Sequence, residues 1–123
     1  MDDPFKLQRF VDAQSLVYET VLRELRAGRK TTHWIWFIFP QAKGLGRSAM
    51  SERYAISSLD EARAYLAHPV LGPRLKDCTQ LVLSHKGMPL EDIFGALDAM
   101  KFRSSMELFH EAGASFTPLS SRP

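Results

Sequence analysis

The chain of 123 residues has a single cysteine, Cys78, so no internal disulfide can form, and stability must come from packing. A lone thiol suits a reducing compartment, and the expected location is the cytoplasm. No run approaches the ~18 uninterrupted apolar residues of a membrane span, and the first residues, Met1-Asp2-Asp3-Pro4, are acidic where a signal peptide would be basic. No membrane association is expected. Charge of one sign is also missing: 16 basic against 14 acidic residues leave +2, short of the excess of a typical nucleic-acid binder. Nucleic acid is therefore not an expected partner. His68, His85 and His110 show no metal-ligand spacing, and no serine stands in a nucleophile-elbow pattern. The sequence gives no reason to expect a metal or a cofactor.

What is present is enough for one core. With 45% hydrophobic and 11% aromatic residues, a chain of this length forms one domain and has no room for a second. Asp3 followed by Pro4 predicts a helix start, since Asp accepts from first-turn amides and proline gives up an N–H without a partner. Phe5, Leu7, Phe10 and Val11 would supply its apolar face. Ser15 is placed to cap a second helix carrying Val17, Val21, Leu22 and Leu25, which Gly28 would end.

Residues 34–39 read Trp-Ile-Trp-Phe-Ile-Phe, a composition that favours a strand. A strand needs a partner, and the chain holds no second run of β-branched alternation. A short buried helix capped by Thr32 is expected instead. Ser48 would cap a helix with Met50 and Tyr54, and Ser58 with Glu61 makes a capping box before a helix that ends at His68-Pro69. A longer helix follows with Leu71, Leu75, Cys78, Leu81 and Val82, and Pro89 opens a short turn through Ile93 and Phe94. The last periodic segment carries Leu97, Met100, Ser104, Met106, Leu108 and Phe109 and stops near Gly113. The expected fold is all-α, a single compact domain of about seven short helices over residues 1–113, with a disordered Ser/Pro-containing tail over 114–123.

Between Arg23 and Arg53 seven basic residues face two acidic ones. They read either as solvated helix faces and helix C-terminal complements or as an anion patch. Gly44-Leu45-Gly46-Arg47-Ser48 places two glycines, a guanidinium and a hydroxyl before a helix start. That is an ordinary capped loop or an anion-binding loop, and it lacks the Walker lysine and the full spacing of the glycine-rich nucleotide fingerprints. Trp34 and Trp36, with His33 before them and Gln41 after, are core residues or a stacking wall beside a potential acid/base imidazole. Lys101, Arg103, Ser104 and Ser105 crowd just over one helical turn, with Lys101 and Ser105 on one face. Cys78 lies on an apolar face, which favours an inert packed thiol.

The ordered blocks His33-Trp34-Ile35-Trp36-Phe37-Ile38-Phe39-Pro40-Gln41, Gly44-Leu45-Gly46-Arg47-Ser48, Arg53-Tyr54-Ala55-Ile56, His68-Pro69, Ile93-Phe94-Gly95 and Lys101-Phe102-Arg103-Ser104-Ser105-Met106 resemble the bacterial domain-of-unknown-function family 1810. The resemblance covers the chain from about Phe5 to Phe109. It implies a small, mostly α-helical bacterial fold and brings no established activity with it. Members are sometimes labelled calpastatin, a name at odds with a chain that has its own core, since calpastatin segments are disordered peptides. Relatives usually continue past the segment matching Leu108-Phe109 into a further helical stretch. Its lack here would leave apolar surface open, and a homodimer is one expected consequence.

Two functions compete on these residues. In one, a small protein binds a phosphorylated or nucleotide-like anion, with Arg47 and Lys101 holding it, Ser48 and Ser105 donating, Trp34 or Trp36 stacking, Gln41 and Arg103 nearby, and His33 as the catalytic candidate. In the other, the aromatic and arginine residues form a non-enzymatic protein-interaction surface.

Overall fold

The computed structural model describes residues 3–115. The expected tail therefore lies, from residue 116 on, outside the described residues. Asp3 sets the start of the chain: one carboxylate oxygen accepts the Leu7 N–H at 2.8 Å and the other that of Gln8 at 3.0 Å. These backbone hydrogen bonds, Gln8 first, hold the Asp3 carboxyl below its ordinary pKa. The side chain thus caps a loop in which Lys6 adopts φ 54°, and a left-handed residue cannot continue a helix. The first helix, α1 (Gln8–Ser15), accordingly begins at Gln8 and not at Asp3-Pro4.

Ser15 does not cap the second helix, α2 (Tyr18–Ala27). Its hydroxyl turns back and donates to the Val11 carbonyl at 2.8 Å, a bond serine makes readily inside a helix, and Val17 stands at the N-cap without a side-chain bond. At the other end Gly28 adopts φ 74° and closes α2 as expected. The aromatic run forms α3 (Ile35–Ile38), with Ile35, Phe37 and Ile38 buried. Among the described residues there is no strand, only an isolated parallel bridge between Ala42 and Ile56. Thr32 does not cap α3, because its hydroxyl donates at 2.7 Å to Glu24 on α2.

Ser48 caps α4 (Ala49–Arg53) by accepting the Ser51 N–H at 3.1 Å. Ser58 does the same for α5 (Leu59–Ala67) through the Glu61 N–H at 3.1 Å. The capping box stays half closed. The Glu61 carboxylate takes the Ser57 N–H and hydroxyl at 2.8 and 2.7 Å, and pairs with Arg9 at 3.0 Å. Helix α6 (Leu71–Leu83) crosses α5 closely, since a Cβ at Gly72 would collide with the Leu66 carbonyl oxygen. Two last helices, α7 (Leu90–Phe94) and α8 (Ala96–Glu111), meet at Gly95, whose φ of 80° lets one helix end and the next begin on a single residue.

The core is aromatic. Phe39 packs edge-on against Phe102 at 4.8 Å and Phe94 at 6.0 Å, while Phe10 meets Tyr65 edge-on at 5.2 Å, geometries that aromatic quadrupoles favour. Buried Gln14 links these layers by donating to the Phe37 carbonyl at 2.7 Å and the Tyr65 hydroxyl at 2.9 Å.

Helix α8 follows the expected apolar set at Met106, Leu108 and Phe109 and departs from it at Leu97 and Met100. Phe102, Met106 and Phe109 take the inward face together with Ala99 and Ser105, and Leu97 and Met100 are left 74% and 62% exposed. The three large inward residues bury more area than the two residues near the helix start could, so they set the rotation. Leu108 and Phe109 are both buried. The fold is all-α, one compact domain of eight helices among the described residues. None of these helices is long and apolar enough to cross a membrane.

Candidate functional site

A groove of about 470 Å³ opens between α3 and the junction of α7 and α8. Its walls begin with the loop after Gly28. Buried Glu24 on α2 accepts the N–H groups of Thr31 at 2.8 Å and Thr32 at 3.2 Å, the Thr32 hydroxyl, and the Trp34 indole N–H at 3.0 Å. Burial pushes this carboxyl up, and the donors, led by the Thr32 hydroxyl, outweigh it and leave it at about 2. One carboxylate therefore shapes the segment that carries Lys30 and His33. On the opposite wall the Ile93 carbonyl accepts the Lys30 backbone N–H at 2.7 Å, tying that segment to α7.

Inside the groove Lys30, His33, Ile35 and Trp36 face Phe94, Gly95, Leu97, Asp98 and Lys101. Asp98 sits between the two lysines, with Oδ2 at 2.6 Å from the Lys30 Nζ and Oδ1 at 3.7 Å from that of Lys101. The lysines differ in freedom: the Lys30 side chain is 6% exposed and that of Lys101 29%. The Lys30 ammonium also lies 5.0 Å from the Trp34 ring centroid, and that of Lys101 lies 5.7 Å from Trp36, within reach of cation–π attraction. Trp36 is half-buried, and its indole N–H has no acceptor among the described residues. Such an orphaned donor is uncommon in a folded protein.

Of the residues expected from sequence to form a site, the groove brings together Trp36, Lys101 and His33. The others lie elsewhere. Trp34 is fully buried with its N–H committed to Glu24, so neither ring face is open to a ligand. The Gln41 carbonyl accepts the Ile56 N–H at 2.9 Å. Arg47 and Ser48 are exposed at the start of α4, and neither lines the groove. Arg103 points outward and pairs with Glu91 at 3.1 Å, while Ser105 is fully buried with a hydroxyl that has no partner among the described residues.

Sequence reasoning missed Lys30, Asp98 and Gly95. A signal existed: Gly95 followed three residues later by Asp98 marks a helix entry with a first-turn carboxylate. Lys30 reads from sequence as a helix C-terminal complement, and only the Ile93 tether reveals its second neighbourhood.

No protein of curated function matches. The chain is 58% identical in sequence, over the matched part, to the conserved hypothetical protein Rv1873 from Mycobacterium tuberculosis, known from a crystal structure at 1.38 Å. The match covers 89% of this chain and 79% of that one, with a TM-score of 0.88. The family described as "Protein of unknown function (DUF1810)" matches residues 4–120. By that match, which takes in the groove and the core residues from Leu7 to Phe109, the chain belongs to the DUF1810 family.

Proposed function

We propose that the protein binds a small organic anion in the groove, with its charged head at Lys101 and its apolar body against Trp36, Phe94 and Leu97. The observation that carries this reading is the meeting of two lysines and a half-buried tryptophan from three separate segments around one concavity. Concave sites with apolar walls and a few convergent polar groups are the usual form of ligand pockets. The sequence suggests phosphorylated and nucleotide-like compounds through Arg47, Ser48 and Ser105, none of which lines this groove, so the class is set here by Lys101 and the apolar wall. The lone buried Cys78 favours a reducing cytoplasm as the place of action, and the Mycobacterium neighbour favours a bacterial source.

The test is a fluorescence titration. Trp36 reports on the groove, and organic acids with aromatic bodies should change its emission saturably. Lys101→Ala should weaken that change about tenfold. If none of a panel of aromatic carboxylates and phosphates produces a saturable change, the reading fails.

A second reading has its own observation. Leu97, which lines the groove, is 74% exposed and Met100, three residues further along α8, 62%, which favours a protein-interaction module, a homodimer included. Light scattering of the wild type against a Leu97→Ser/Met100→Ser variant separates the two readings. A dimer that becomes a monomer in the variant supports the interaction module.

A further inference from the structure

We infer that Asp98 restricts the groove to ligands whose head group bears one negative charge, a carboxylate or a phosphodiester in preference to a phosphate monoester. This rests on the reading that the groove binds an organic anion. It adds a specificity-determining residue that the reading alone does not name.

The argument is a count of charges and their freedom. Asp98 contacts both ammonium groups, but unequally: its 2.6 Å bond to Lys30 is short and nearly closed off from solvent, and its 3.7 Å contact with Lys101 is long and open. Lys30 is therefore neutralised by fixed neighbours, the carboxylate and the Trp34 ring. Lys101 keeps donor capacity and lies beside Trp36, where an apolar body would rest. Two cations less one carboxylate leave a single positive charge. A monoanion balances it. A phosphate monoester, near −2 at neutral pH, overshoots and brings its second charge toward the Asp98 carboxylate. Half-enclosed walls weaken solvent screening of that repulsion, and like charges set together are a common device for rejecting a wrong partner.

The experiment uses one apolar body with two heads. 2-Naphthoate and 2-naphthyl phosphate are titrated against the full chain by Trp fluorescence and calorimetry, in a His33→Gln background so that the rim imidazole does not enter the count. Naphthoate should bind at least as tightly as naphthyl phosphate. Asp98→Asn, which keeps the shape and removes the charge, should move the affinity ratio toward the phosphate by about tenfold. Asp98→Ser, smaller and uncharged, should move it the same way and serves if the asparagine variant does not fold. Tighter binding of the phosphate before Asp98 is altered, or a ratio that moves less than about threefold on neutralisation, overturns the inference and leaves anion binding intact. Failure of both compounds to bind overturns anion binding itself and the inference with it.

Discussion

Glu24 accepts the indole N–H of Trp34 at 3.0 Å, with both side chains buried. The same carboxylate also holds Thr31 and Thr32, so the loop that brings Lys30 to the groove hangs from α2 at one point. Glu24→Gln presents an amide NH₂ where an oxygen is needed and should lower the unfolding free energy by about 2 kcal/mol, measured by urea denaturation at pH 7. Acid should act through the same group. Its folded pKa of about 2 lies below its ordinary 4.5, so its contribution is complete above pH 4.5 and lost as pH falls toward 2. The wild type should lose its advantage over Glu24→Gln across that window.

The crossing of α5 and α6 depends on the bare Cα of Gly72, whose Cβ would strike the Leu66 carbonyl oxygen. Gly72→Ala should cost about 1–3 kcal/mol and lower the melting temperature in calorimetry. An unchanged melting temperature would mean that the two helices can slide apart freely.

Lys30 and Lys101 should behave oppositely. Removing the nearly buried Lys30 leaves Asp98 with its distant partner alone and should cost about 2–4 kcal/mol of stability. Lys101→Ala should change stability by less than about 1 kcal/mol while weakening anion binding. Parallel denaturation and titration curves check the split.

Burial pushes the Cys78 thiol up to about 12, and the residue is fully covered. A thiol-specific reagent such as DTNB should react with the native protein at least about a hundredfold more slowly than with the protein in urea. The urea dependence of that rate should follow unfolding measured by fluorescence. Fast native labelling would show that α6 opens locally.

The helical architecture was legible where a backbone demand had one cheap answer. Gly28 ends α2, Ser48 starts α4, and Pro89 precedes α7. The aromatic run at residues 34–39 read correctly as a helix because no partner strand existed for it. Side-chain competition hid other details. Ser15 and Thr32 are equally good caps by composition, but Val11 and Glu24 claim their hydroxyls. On α8 the apolar period holds at Met106, Leu108 and Phe109 and fails at Leu97 and Met100, whose place near the helix start is decided by the fit of Phe102 against Phe39. The groove was legible in part. Trp36, Lys101 and His33 stood out by type, whereas Lys30 and Asp98 meet through a pairing of 68 positions that no local pattern encodes.

The bond from the Lys30 amide to the Ile93 carbonyl is main chain on both sides. It fixes the spacing between the two banks of the groove without involving any side chain that lines it. Substitutions on the lining should therefore retune what is recognised while the width of the opening stays constant, which makes this cleft a tractable starting frame for engineered receptors of chosen head-group chemistry.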